Sequence, residues 1–105
     1  MTQIVIVCYQ PKEGKEAELK ALVQEHVPIL RAEQMATDRE PVMMQAANGT
    51  IIEVFEWVSA EAIQKAHTSP VVQAMWQRFN EACTYVAPDT LAECQHIFST
   101  FKPMD

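Results

Sequence analysis

One segment, Ile51 to Val58, is predicted to be a β-strand with apolar side chains on both of its faces. Alternation divides the segment into Ile51, Glu53, Phe55 and Trp57 on one face and Ile52, Val54, Glu56 and Val58 on the other. The first predicted strand, Gln3 to Tyr9, is likewise apolar on both faces. If helices cover one face of such a sheet, the other face is an exposed apolar surface. We therefore expect two copies to pack face to face as an isologous homodimer.

The remaining residues supply the helices and turns of one α+β domain, expected to span residues 1–105. Apolar residues at three- and four-residue spacing predict a helix from Lys15 to about Met35, interrupted by Pro28. Asn48-Gly49, between runs predicted as strands over 41–47 and 50–58, predicts a hairpin with a type I′ turn. The predicted order is strand, helix, strand, strand, helix, strand, which is a ferredoxin-like βαββαβ fold with one antiparallel sheet.

Capping residues and periodicity define the second half of the chain. Ser59 is the predicted N-cap of a helix that ends near His67. Ser69-Pro70 opens another helix, from Val71 to about Glu81, with proline at its first position. Cys83 to Val86 is predicted as the last strand. Within 90–101, four residues fit a short helix that packs onto the body: Leu91, Cys94, Ile97 and Phe98.

Composition limits the partners and the compartment. Fourteen acidic residues against eight basic ones give a net charge of −6, which disfavours nucleic acid and anionic membrane surfaces as partners. The chain has two glycines, too few for a glycine-rich phosphate loop. The absence of a signal-like or membrane-spanning segment, with three cysteines in no CxxC pair, leads us to expect a cytoplasmic protein with reduced thiols.

Taken together, the topology, the Asn-Gly hairpin, Trp57 and the Ser-capped helix leading into His67-Thr68-Ser69-Pro70 resemble the dimeric α/β-barrel superfamily. Within it, the likeness is to antibiotic-biosynthesis monooxygenase-like proteins. The resemblance implies a barrel formed by two sheets across a dimer and a pocket between sheet and helices in each subunit. The superfamily includes cofactor-independent oxygenases of aromatic polyketides, heme-degrading enzymes and isomerases, so the fold alone does not select a reaction.

Two positions depart from relatives of known activity. Heme-degrading members have an iron-binding His where matching along Trp57 and Ser69 places Trp76. An indole does not ligate iron, so heme degradation is not expected. The polyketide monooxygenases have an Asn four residues before the strand tryptophan, whereas Glu53 stands here. A carboxylate can act as a base and an amide cannot, so the chemistry does not carry over unchanged.

Several residues are candidates for a site, each with a structural alternative. His26 lies on the apolar stripe of the first helix and is either a core histidine or a pocket base. Glu53 shares a strand face with Trp57 and either pairs with a Lys or Arg or serves the pocket; its face could be that of the pocket or of the dimer interface.

The remaining candidates are substrate-binding residues: Tyr9, Trp57, His67 and Trp76. The two tryptophans are most simply core or interface aromatics. Tyr9 ends the first strand, where its hydroxyl could reach a pocket mouth, and His67 could instead cap a helix. No metal ligands and no cofactor are predicted.

The leading hypothesis is an oxidoreductase: a cofactor-independent monooxygenase-like protein that acts on or binds a small apolar or aromatic molecule. His26 or Glu53 would abstract a proton before the substrate meets O₂, and Trp57 with Tyr9 would position the ring. The alternative is a non-catalytic homodimer of the same fold, a binding or stress-related module.

Overall fold

A computed structural model, which describes residues 1–104, shows a five-stranded antiparallel sheet with three helices. The strands are β1 (Gln3–Pro11), β2 (Val42–Gln45), β3 (Ile51–Trp57), β4 (Cys83–Val86) and β5 (Lys102–Pro103). The helices are α1 (Glu16–Ala32), α2 (Ala60–Ala66) and α3 (Pro70–Ala82). The spatial order β4-β1-β3-β2-β5 is that of a ferredoxin-like sheet with one short strand added at its edge.

Helix α1 is continuous through Pro28 and ends before Met35, earlier than predicted. Its end is set by Gln34, which has a left-handed φ of 61°. The Met35 amide turns back to donate to the Leu30 carbonyl at 2.8 Å, and the Gln34 amide donates to that of Arg31. This arrangement satisfies carbonyls at the helix end and sends Met35 into the core.

The hairpin between β2 and β3 forms, but the predicted type I′ turn is wrong. That turn needs positive φ at both central residues. Gly49 has a φ of 93°, whereas Asn48 does not have a positive φ. The loop is one residue longer: the Ala46 amide donates to Thr50 at 2.8 Å and the Gly49 amide to Ala46 at 3.0 Å. Asn48 Oδ1 accepts from the Thr50 amide at 3.0 Å, so its side chain closes the turn.

The predicted caps of the second half are confirmed. The hydroxyl of Ser59 accepts from the amide of Ala62, and that of Ser69 accepts from Val72. Proline at the start of α3 lacks the N–H that would otherwise need a partner there.

The C-terminal segment differs from its prediction. Instead of one short helix it contains two 3₁₀ turns, Pro88–Thr90 and Ala92–Gln95, and β5 follows them on the outer edge of β2. Leu91 is buried over the sheet, but Ile97 and Phe98 are 98% and 87% exposed and do not pack onto the body. The helical spacing breaks down because the backbone turns away after Gln95 to reach the sheet edge.

The core lies between the sheet and the three helices. Pairing of Val7 with Glu53 and of Val5 with Phe55 aligns the inward-facing residues of β1 and β3. On the opposite face, Cys8 and Ile52 lie under the C-terminal segment in a second, smaller apolar cluster. Of that face, three aliphatic side chains remain more than half exposed: Ile4, Ile6 and Val42. Over residues 1–104, no helix has the length and apolarity needed to cross a membrane.

Candidate functional site

A cavity of about 360 Å³ lies between the sheet and helices α1 and α3. Six aromatic side chains line it: Tyr9, Phe55, Trp57, Trp76, Phe79 and Tyr85. The cavity is at the small end of the range for small-molecule sites, and a largely apolar wall with a few polar groups is typical of them. Its position follows from the topology, because β1 and β3 are central and the two long helices cover them.

At the floor of this cavity, three polar side chains from distant parts of the chain meet. His26 lies on the buried stripe of α1, Glu53 on the inward face of β3 and Tyr9 on that of β1. His26 Nδ1 is 2.7 Å from Glu53 Oε1, and the Tyr9 hydroxyl donates to the same oxygen at 2.7 Å. The Tyr9 oxygen is also 3.4 Å from His26 Nδ1. The structure thus brings His26 and Glu53 into direct contact.

The environment of Glu53 excludes the predicted alternative of a Lys or Arg partner. Its side chain is fully buried, and within residues 1–104 its partners are His26 and Tyr9, with no Lys or Arg nitrogen within 4 Å. It faces the helices, not the outer face of the sheet. Glu53 lies behind His26 and does not itself line the cavity.

The tautomer of His26 follows from its partners. A carboxylate oxygen accepts hydrogen bonds, so Nδ1 carries the hydrogen and Nε2 has a free lone pair. Within the described residues His26 Nε2 has no hydrogen-bond partner. The ring is held edge-on by Phe55 and Phe79, with centroids at 5.1 and 5.2 Å. These two rings and the bond to Glu53 determine the orientation of the His26 imidazole and therefore the position of Nε2.

Tyr9 has a different place from the predicted one. Its hydroxyl is not at the cavity mouth but buried in the bond to Glu53, and its ring stacks on Phe79 at 5.0 Å. Burial raises the pKa of Tyr9 well above its ordinary value, and the neighbouring Glu53 raises it further. Tyr9 therefore remains a protonated donor to Glu53. Its role in the structure is to hold the carboxylate, although its ring lines the cavity.

The other predicted substrate-binding residues divide into two groups. Trp57 and Trp76 line the cavity, and Trp57 packs against Phe55 at 5.3 Å. His67 is exposed and outside the cavity wall, so the structure does not bring it together with the other candidates. Its ring lies edge-on to Trp76 at 5.4 Å, and its Nδ1 bonds to the Ile63 carbonyl at the end of α2. It supports Trp76 from outside.

Three amide side chains of the wall were not singled out from the sequence. Gln73, Gln77 and Asn80 lie on α3 at i, i+4 and i+7 and line one side of the cavity. That spacing puts them on one helix face, a signal that could have been noticed beside the apolar stripe. Apart from His26, no acidic or basic side chain of residues 1–104 lines the cavity. Within residues 1–104, no cluster of three His, Cys, Asp or Glu side chains could hold a metal ion.

Comparisons with known proteins support the assignment of the fold but give no information about the chemistry of the site. No family model matches the chain, and no curated protein matches it. Among solved structures, the chain is similar to Rv0793 from Mycobacterium tuberculosis, with a TM-score of 0.63 and 21% identity. The match covers 84% of this chain and 95% of Rv0793. At that identity the similarity supports a shared ferredoxin-like architecture.

Proposed function

We propose that this protein is a cofactor-independent monooxygenase-like enzyme that oxidises an activated carbon of a small aromatic molecule. The observation that supports it is His26, a residue of the aromatic cavity wall: within residues 1–104 its buried Nε2 has no hydrogen-bond partner, and its Nδ1 is backed by the buried carboxylate of Glu53. A histidine held in this way by a carboxylate is suited to general-base catalysis. His26 is the base, and Glu53 orients its imidazole.

The chemistry needs a substrate that supplies all the electrons. His26 Nε2 takes a proton from an aromatic methylene, and the carbanion adds to O₂ to form a hydroperoxide anion. The imidazolium returns its proton to that anion. Removal of the second C–H proton with departure of hydroxide then gives a carbonyl and one water. The balance is R₂CH₂ + O₂ → R₂C=O + H₂O, and no external reductant is required.

Glu53 and Tyr9 contribute by stabilising the charged form of the base. When His26 becomes an imidazolium, the carboxylate at 2.7 Å offsets its charge in a buried, weakly polar environment. The Tyr9 hydroxyl keeps the carboxylate in place. The surrounding aromatic rings exclude water and offer flat surfaces for a ring-shaped substrate.

The test compares His26→Asn with His67→Asn. Asparagine at position 26 supplies an N–H for Glu53 but has no basic nitrogen, whereas His67 lies outside the cavity. With a phenol-activated aromatic methylene as substrate, we expect oxygen uptake by the wild type. Loss of the base should lower kcat by about 10²–10⁴, and His67→Asn should have near wild-type turnover.

Labelled dioxygen distinguishes the enzyme from the non-catalytic alternative. The label should appear in the product carbonyl. If the wild-type protein binds such molecules saturably but consumes no oxygen, the protein is a binding module and not this enzyme. Equal turnover by wild type and His26→Asn would show that His26 is not the base.

We also propose that the protein is a homodimer of the dimeric α/β-barrel type, formed through the outer face of the sheet. Ile4, Ile6 and Val42 are 59%, 56% and 54% exposed on that face. Neighbouring aliphatic side chains of this size in contact with water form the kind of patch that a second copy buries. A stable interface needs roughly 1,200 Å² or more.

The dimer is tested by light scattering on the wild type, on Ile6→Lys and on Val71→Lys. Val71 is a matched control, since it is 49% exposed on α3 rather than on the sheet. We expect a dimer for the wild type and for Val71→Lys, and a monomer for Ile6→Lys. A wild-type monomer at micromolar concentration contradicts the proposal.

A further inference from the structure

A second cavity, of about 280 Å³, lies on the outer face of the sheet, beneath the C-terminal segment that contains the two 3₁₀ turns. Its wall combines residues of the sheet, among them Cys8 and Ile52, with residues of that segment, among them Leu91 and Cys94. Within residues 1–104 it shares no lining residue with the cavity between the sheet and the helices. Two of the three cysteines, from opposite ends of the chain, therefore line one small space.

Cys8 is the fixed member of this pair. It lies in β1, which pairs with β3 on one side and β4 on the other, and the residues opposite it are Ile52 and Val86. Its side chain is 2% exposed. A central strand that is hydrogen-bonded along both sides is among the most stable parts of a fold, so the Cys8 backbone has little freedom to move.

Cys94 is held at the same cavity by its neighbours in the C-terminal segment. It lies in the 3₁₀ turn Ala92–Gln95, and its amide donates to the Leu91 carbonyl at 3.0 Å. Leu91 is buried against the sheet, and the Glu93 carboxylate accepts from the Ala47 amide at 2.8 Å. These anchors keep the half-buried Cys94 at the cavity, but a short turn outside the sheet can shift more than a central strand can.

The three thiols differ in their access to solvent. Burial raises the pKa of the Cys8 thiol, and the nearby Cys94 raises it further, so Cys8 stays protonated near neutral pH. The half-buried Cys94 is the thiol that a dissolved oxidant meets first. The third cysteine, Cys83, is buried in the core between the sheet and the helices and does not line the second cavity. Cys8 and Cys94 are therefore the pair that can react together.

We propose that Cys8 and Cys94 form an oxidation site, at which a hydroperoxide converts the two thiols into an intrachain disulfide that ties the C-terminal segment to β1. A disulfide requires Cα atoms about 4.4–6.8 Å apart. Because β1 is fixed, any approach that the bond needs is made by the 3₁₀ turn, which moves into the cavity. The inference does not depend on the proposed monooxygenase, because the two cavities are lined by different residues.

Hydrogen peroxide is the simplest oxidant of this class, and the reaction has two steps. The Cys94 sulfur attacks one peroxide oxygen and the O–O bond breaks, so that the thiol becomes a sulfenic acid and the other oxygen leaves as water. The Cys8 sulfur then attacks the Cys94 sulfur, the S–O bond breaks, and the leaving hydroxide takes the Cys8 proton to become water. The balance is 2 RSH + H₂O₂ → RSSR + 2 H₂O, in which sulfur is oxidised and the peroxide oxygens are reduced.

Peptide mapping of the reduced wild-type chain, after treatment with a molar excess of hydrogen peroxide, tests the proposal. Cleavage at lysine, arginine and glutamate places the three cysteines on separate peptides. We expect the loss of two of the three free thiols, one crosslinked pair of peptides that carries Cys8 and Cys94, and a free Cys83. Dithiothreitol should restore all three thiols, because it reduces a disulfide by exchange.

Single alanine variants assign the roles of the two cysteines. In Cys8→Ala, Cys94 should stop at the sulfenic acid, which dimedone traps, because the partner thiol is absent. In Cys94→Ala, Cys8 should keep its free thiol, because the sulfur that meets the oxidant is absent. Cys83→Ala is the matched control and should form the same disulfide as the wild type.

The proposal is overturned if the wild type keeps all three thiols, if the crosslink contains Cys83, or if Cys94 joins two chains as a covalent dimer on a non-reducing gel. It is also overturned if wild-type Cys94 accumulates as a sulfenic or sulfinic acid while Cys8 stays free. The wild-type peptide map and gel decide between these outcomes by themselves, so the result does not depend on the folding of any variant.

Discussion

Replacing Tyr9 by phenylalanine removes one oxygen from the buried network and leaves the rest of the side chain. The ring is 2% exposed, stacks on Phe79 at 5.0 Å and touches Tyr85 at 5.7 Å. Phenylalanine preserves these contacts. The change in stability therefore reports the hydrogen bond to Glu53 and little else.

The magnitude depends on the charge of Glu53. A hydrogen bond to a charged group contributes about 1.5–3 kcal/mol, and a neutral pair about 0.5–1.5 kcal/mol. The carboxylate oxygen that accepts from the Tyr9 hydroxyl at 2.7 Å is also 2.7 Å from His26 Nδ1, and both bonds are made to the charged form of Glu53. We therefore expect Tyr9→Phe to lower the free energy of unfolding by about 2 kcal/mol.

The assay is urea unfolding at neutral pH and one fixed protomer concentration, since dimerisation would make stability depend on concentration. Tyr85→Phe is the matched control: Tyr85 is about half exposed, its hydroxyl makes no hydrogen bond within residues 1–104, and its loss should change stability by less than about 0.5 kcal/mol. A double-mutant cycle with Glu53→Gln should give a coupling of at least about 0.5 kcal/mol. A Tyr9→Phe loss no larger than the control, or a coupling of zero, would refute the description of this network.

Three further predictions concern other parts of the fold. Gly49→Ala should lower the free energy of unfolding by about 1–2 kcal/mol, measured by thermal melting, because φ at 93° is disfavoured for alanine; an unchanged melting temperature would contradict the observed turn. Cys94 is half-buried and Cys83 buried, so a thiol reagent should label Cys94 first, and labelling of Cys83 should require unfolding, as peptide mass spectrometry can show. Burial raises the pKa of Cys83 from 9.0 to about 11 and that of Tyr85 from 10.0 to about 12, so above pH 9 the folded state binds more protons than the unfolded state. The stability that these groups contribute is fully present below pH 9 and falls as pH rises through 11 and 12, and unfolding free energies that stay level across this range would contradict it.

Local features of the sequence were sufficient to predict most of the helices and strands. The caps at Ser59 and Ser69 were found because a serine hydroxyl acts on an amide only three residues away. The β4 strand was located because apolar residues ended by Pro88 leave little choice of boundary. The inward direction of His26 followed from the 3.6-residue period of α1.

Features that depend on contacts between distant residues could not be predicted from the sequence. The turn at Gly49 was found but not its type, because loop length depends on the register of β2 against β3. The predicted helix in the C-terminal segment was wrong, because pairing with the sheet edge, and not local spacing, determines the path of the chain to β5. Strands β1 to β4 and the three helices could thus be predicted, but not β5 or the path of the irregular segments.

The candidate site shows the same division. From the sequence alone, His26 and Glu53 were two polar residues on apolar faces, each with a structural and a functional interpretation. Whether they meet depends on which part of α1 crosses which part of β3, and on the alignment of β1 that brings Tyr9 to the same oxygen. Side-chain periodicity determines the face on which a residue lies. Only the packing of helix against sheet determines what it contacts, and here that packing makes a single network of residues that are 17 and 44 positions apart from Tyr9 along the chain.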